Sequence, residues 1–292
     1  MSTPLDEPLA EVQRRLAGAV RSMVSGSRRP PPPVARAASD DPGLFGPDSA
    51  AWRVHGDVAM FVGGLRALLL QTLHPLAMAG VAEHSDYKSD PWGRLHRTAE
   101  FIGVTTFGGT DEAEAVIRRV RRIHERVQGV APDGRPYSAT DPHLVAWVHV
   151  TEVDSFLRAK QRYGTDPLDA VAADRYVAEM AQVAERLGAE AVPRSVAEMR
   201  LWLRSVRPEL SAGSQARDAV RFLLLPPVPL LARGPYGVIA AAAVGLLPAW
   251  ARRMLWLPSP PLSDPLVVRP AAKVLLGGLD WALRADRPVH PG

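Results

Sequence analysis

Cysteine is absent from the 292 residues. That excludes disulfide frameworks, thiolate metal sites and cysteine nucleophiles, so any metal must be held by His, Asp, Glu or a cofactor. Period-two alternation is also missing, as is any repeat at a fixed spacing, and an all-α fold is expected. Net charge is low: 35 Lys and Arg stand against 31 Asp and Glu. The basic residues are spread over amphipathic segments and not interleaved with aromatics, which argues against nucleic acid as a partner. The opening "MSTPLDEPLAEVQRRLAG" has no apolar h-region, so a cytoplasmic protein without a secretory signal is expected. The longest uncharged run, "GPYGVIAAAAVGLLPAWA", spans 18 residues and contains Pro235 and Pro248. It reads as a buried C-terminal helix rather than a membrane span, with peripheral membrane contact left open.

Three regions follow from composition. Residues 1–50 read as a short amphipathic helix and a mobile Pro-rich connector. Residues 51–215 read as a helical core, and 216–292 as an apolar, Pro-rich helical extension packed on it. Within the core, "DVAMFVGGLRALLLQTLHPLAMAGVAEHS" is apolar nearly all round and should be central, with a break at Pro75. Thr110 is the expected cap of "TDEAEAVIRRVRRIHERVQG", and Gly129 lies past its end. Pro136 and Tyr137 read as a turn. Asp141 should cap the next helix with Pro142 at its first position, Gly164 should close it, and Ser195 should cap a later one.

The segment "VIRRVRRIHERVQG" separates on counting. Ile117, Val120, His124 and Val127 fall on one stripe, while Arg118, Arg119, Arg121, Arg122 and Arg126 cover the other face. His124 is thus expected inward, as a hydrogen-bonded core histidine or as a metal ligand. Arg94, Arg97 and Thr98 share a helix face near Phe101 and Ile102. Such cations need anionic partners, either carboxylates of the fold or those of a cofactor. His149 and Glu152 form an i, i+3 pair, and His74 and His84 bracket the second half of the apolar segment.

Several chemistries are excluded by pattern. No histidine has Glu three residues before it, as a carboxylate-bridged di-iron bundle requires, and the H-E-x-x-H, G-x-S-x-G, P-loop and G-x-G-x-x-G signatures are missing. A helical body with an inward histidine, nearby arginines and an apolar interior suits haem.

The ordered motifs "LLLQTLHPLAMAGVAEHSDYKSDPWGRLHRTAEFIGVTTFGGTDEA", "VRRIHERVQG" and "YSATDPHLVAWVHVTEVDSFL" resemble the DUF2236 family. Its better-known members are latex-clearing rubber oxygenases and the oxygenase that shortens a farnesyl side chain in mycophenolic acid synthesis. The resemblance implies a globin-like, all-helical haem b domain that adds dioxygen to apolar, often isoprenoid, double bonds. It also implies that Arg94 and Thr98 form the family's Arg-x-x-x-Thr pair and that His124 is the proximal iron ligand. Arg97 stands where rubber-cleaving members carry a distal lysine. A guanidinium stays protonated and does not ligate iron, which leaves the distal side open or served by His84. The expected cofactor-binding set is therefore His124, Arg94, Thr98 and His149, and the expected catalytic set is Arg94, Arg97, Thr98 and His84. The expected partners are dioxygen and a small apolar molecule. A haem-free protein of the same fold that binds a lipid-like ligand or a membrane surface is the alternative. A third expectation is a haem-independent metal or hydrolytic enzyme using His74, His84 and His149.

Overall fold

The computed structural model describes residues 41–258 and 264–284. The expected N-terminal helix and most of the connector lie outside them. Twelve α-helices and one two-stranded hairpin are present among the described residues. The first five helices are α1 (Ala50–His55), α2 (Met60–Gln71), α3 (Pro75–His84), α4 (Pro91–Phe107) and α5 (Thr110–His124). A short hairpin, β1 (Gln128–Val130) with β2 (Pro136–Ser138), precedes α6 (Pro142–Tyr163), α7 (Ala170–Leu187) and α8 (Val196–Ser205). A 3-10 turn at Arg207–Glu209 leads to α9 (Ser214–Leu224), α10 (Leu230–Leu246), α11 (Ala249–Met254) and α12 (Arg269–Arg284). The all-α expectation holds.

Local chemistry places most helix starts. The side chains of Asp90, Asp141, Asp169 and Ser195 each accept a backbone N–H of the first turn. Pro75, Pro91 and Pro142 occupy first positions, where a missing N–H costs nothing. Pro75 also holds His74 in extended geometry, and the chain bends by 105° between α2 and α3. Two local readings need correction. Thr110 is the first residue of α5 and Gly109 is its cap. The Thr110 hydroxyl donates instead to Asp41, 2.8 Å away, a partner 69 residues distant that local pattern cannot reveal. Pro136 and Tyr137 form strand β2 rather than a turn. Three residues are too short to show period-two alternation.

Helix α6 is the axis of the packing, with fifteen of its 22 residues buried. Gly63 on α2 lets the two backbones close up: a Cβ there would lie 2.7 Å from Phe156 Cδ1. One core cluster joins Leu69 and Leu70 of α2 to Trp147 of α6, Ala242 and Ala243 of α10 and Leu276 of α12. A second joins Val54 of α1 to Val150 and Phe156 of α6 and Tyr176 of α7. The uncharged C-terminal run is therefore packed on α2 as part of the larger core, and α10 continues through Pro235. Among the described residues no single helix is long and apolar enough to cross a membrane.

The α2–α6 contact carries a buried charge. Arg66, 1% exposed, donates to Asp154 Oδ2 at 2.8 Å, to Ser155 Oγ at 2.6 Å and to the Leu246 carbonyl at 3.0 Å. Removing one partner of such a pair strands the other charge in low dielectric. Arg66→Ala is expected to destabilise the fold by about 3–5 kcal/mol in urea denaturation; a loss below about 1 kcal/mol would show that the pair carries little.

Candidate functional site

Helices α4 and α5 form a hairpin about the Gly108–Gly109 turn. At 1.5 Å per residue, Arg94 lies about 20 Å back along α4 from the turn, and His124 about 21 Å forward along α5. The hairpin thus brings Arg94 and His124 to the same level, far from the turn. His124 is half-buried at the end of a stripe whose inner members are Ala113 and Ile117. All five arginines of the opposite face are exposed, as counted. The His124 Nδ1 atom is buried and has no hydrogen-bond partner. Burial pushes the pKa of the ring down, so it is neutral at pH 7.

Arg94 is half-buried, and burial also lowers its pKa. Its guanidinium donates to the Ser85 hydroxyl at 2.5 Å, and no carboxylate pairs with it among the described residues. Arg97 and Thr98 are exposed. Arg97 reaches Asp90 at 3.4 Å, and the Thr98 hydroxyl donates to the Arg94 carbonyl at 3.0 Å. The apolar side chains of Leu95 and Ile123, 39% and 41% exposed, flank Arg94 and His124 in sequence, so some apolar surface stands open among the charged groups at this end of the hairpin.

His84 joins the same region through the β-hairpin. Its Nε2 lies 3.1 Å from the Tyr137 hydroxyl, which also donates to Glu83 in a very short contact. Burial, reinforced by Glu83, pushes the Tyr137 pKa up to about 12. Val127 and Tyr137 pack together over Gly80 of α3, just beyond the end of α5. A surface cavity of about 390 Å³ opens beside Ser85 and Tyr87, but Glu83, Asp86 and Lys88 line it, which suits no apolar molecule.

The remaining residues fall elsewhere. His149 is buried beside His55 of α1, whose Nδ1 lies 2.6 Å from Thr106 Oγ1 and whose Nε2 lies 3.0 Å from the Tyr176 hydroxyl. Thr106 is about 18 Å along α4 from Arg94, so His149 and Glu152 stand near the turn end of the hairpin, apart from His124. Burial pushes His55 down to about 3, His149 down to about 4, and the Glu152 carboxyl up to about 7. The interior at this end is therefore polar but close to neutral. His74 lies at the α2–α3 bend, where its Nε2 is 3.5 Å from Glu209 Oε2. His55, Thr106, Tyr176, His143, Glu209 and Tyr137 are the participants that sequence reasoning missed. Their partners are 51 to 121 residues away for His55 and 66 for His143, so no local spacing marks them.

The raised Glu152 pKa has a signed consequence. An acid whose folded pKa exceeds its unfolded value binds the extra proton in the native state, so its contribution is favourable at low pH and is lost as pH rises through about 7. Glu152→Gln removes that dependence. It should leave stability near wild type at pH 5 and raise it by about 1–3 kcal/mol at pH 8. Urea melts at the two pH values check this; an equal effect at both would show that Glu152 does not titrate as the buried geometry requires.

Residues 52–276 match the family described as "ER-bound oxygenase mpaB/B'/Rubber oxygenase, catalytic domain", beyond the 51–215 core expected from composition. No curated protein matches the chain, and no solved structure does. Since the match covers most of the sequence and runs from α1 into α12, the chain belongs to this family of oxygenase catalytic domains.

Proposed function

We propose that the protein is a haem-b-dependent oxygenase that uses dioxygen on a small apolar substrate, such as an isoprenoid. The observation that carries the reading is the His124 imidazole: neutral, half-buried, and with Nδ1 unpartnered in the interior. A neutral imidazole with a free nitrogen is what an iron ligand must be. The surrounding residues fit the group. Arg94 has only a hydroxyl partner and can bind a propionate, and Leu95 and Ile123 expose apolar surface to a porphyrin edge. Haem, when bound, supplies the redox-active iron that dioxygen chemistry requires.

The other residues act around that centre. Arg97, exposed and 3.4 Å from Asp90, would offer a second cation to a propionate, and the Thr98 hydroxyl, now on the Arg94 carbonyl, would offer a hydrogen bond to the bound group. His84, held by Tyr137, is the candidate for the distal side. His149 and Glu152, near the turn end of the hairpin and apart from His124, would act on the site only from a distance, as buried groups whose burial favours their neutral forms.

The test is the visible spectrum of the full-length protein with added haem. A Soret band is expected, with its loss or marked shift in His124→Ala. Arg94→Ala should weaken haem binding by roughly tenfold or more, the worth of one charge-assisted contact. A protein that shows no Soret band, or one unchanged by His124→Ala, sinks the proposal.

One observation favours a lipid surface as an additional partner. Leu225, Leu230, Trp256, Leu266, Val267 and Val274 are each more than 60% exposed in the C-terminal third. Large exposed apolar side chains of this kind are what a lipid-facing surface presents. Trp256→Ser is expected to lower co-sedimentation with anionic phospholipid vesicles several-fold, and no sedimentation of wild type would dismiss the membrane.

A further inference from the structure

The cluster at the α2–α3 bend is left unused by the haem reading. His74 Nε2, His143 Nε2 and Glu209 Oε2 all lie within 4.8 Å of one another. His143 to Glu209 is 2.9 Å and His74 to Glu209 is 3.5 Å. Three separate segments supply them: the residue before α3, the first turn of α6 and the 3-10 turn. The last is tied to the first by the Ser211 N–H, which donates to the Leu73 carbonyl at 2.9 Å.

His74 is the anomaly. It is 2% exposed, yet neither ring nitrogen makes a well-formed hydrogen bond: Nε2 has only the 3.5 Å contact to Glu209, and Nδ1 has none. A buried polar group left this way costs free energy, and native structures rarely tolerate it without a water, an ion or a functional reason. The ring is held in place by packing on Trp147, with centroids 5.8 Å apart. His143 packs likewise on Trp202 at 5.7 Å, and the two indoles stack on each other. The imidazoles are thus oriented by aromatic walls and not by hydrogen bonds to each other.

We propose that His74, His143 and Glu209 bind one divalent transition-metal ion of the Zn²⁺ type. Two imidazoles and a carboxylate form a three-ligand set that zinc accepts in open sites. Tetrahedral zinc with bonds near 2.1 Å holds its ligand atoms about 3.4 Å apart, so the observed spacing needs only side-chain adjustment of about an ångström. His143 and Glu209 are each more than 40% exposed, which leaves the fourth position to water. Arg135 is the opposing charge nearby, and it is already held by Asp133 at 2.7 Å. The ion would staple the α2–α3 bend to the start of α6 and to the 3-10 turn, and would satisfy the buried His74 ring. His74 and His84 stand at opposite ends of α3, about 15 Å apart, so this site is separate from the one proposed for haem.

The experiment is zinc titration calorimetry on the tag-free, chelator-stripped, haem-free full chain, with thermal unfolding alongside. One Zn²⁺ per chain is expected, with a rise in Tm on saturation. His143→Ala and Glu209→Gln, both at exposed positions, should each weaken zinc binding by at least tenfold, and His124→Ala should leave it unchanged. Binding below one equivalent, or binding that survives both exposed-site variants, overturns the proposal. Because no haem is present, the outcome is independent of the Soret test.

Discussion

The guanidinium of Arg66 is the constraint on which the packing of this chain rests. It is sealed between α2 and α6, and it bridges to α10 through the Leu246 carbonyl. A charge in that position is tolerable only with every donor satisfied, so the helices carrying Asp154, Ser155 and Leu246 have little freedom to slide. Lys160 and Asp57, 2.8 Å apart and each 5% exposed, repeat the device nearly two turns further along α6. Around these pins the apolar clusters of α2, α6, α10 and α12 close.

The α4–α5 hairpin is attached less firmly. Along α4 only Thr105 and Thr106, close to the turn, are fully buried, and along α5 only Ala113 and Ile117. Its far end, with Arg94, Leu95, Ile123 and His124, has few buried apolar contacts. Elements of that kind belong to the low-stability end of a fold, where binding sites are usually drawn from.

Polar groups are distributed according to the same division. Near the turn of the hairpin His55 and His149 are buried and Glu152 is half-buried, and desolvation drives each toward its neutral form. At the open end Arg97 is exposed and Arg94 half-buried, with the Ser85 hydroxyl as the Arg94 partner. The His74–His143–Glu209 cluster occupies a third place, at the bend where Pro75 interrupts the apolar segment.

What could be read from the residues is what local geometry controls. The caps at Asp141 and Ser195, the break at Pro75, the end at Gly164 and the face of α5 that carries His124 each depend on neighbours within about four positions. The ordered motifs likewise pointed to the oxygenase family that residues 52–276 match. The β-hairpin, the Asp41 partner of Thr110, the grouping of His149 with His55 and the meeting of His74, His143 and Glu209 were hidden. Each joins side chains or strands whose encounter depends on how separate helices are laid against one another. Hydrogen bonds of about 3 Å are sensitive to placement errors that a helical period cannot resolve. Helix faces and helix ends therefore follow from short-range sterics and backbone hydrogen bonding. Which histidines end buried beside one another and which stay half-buried near a helix end is decided only when the buried Arg66 and the apolar clusters lock the helices together.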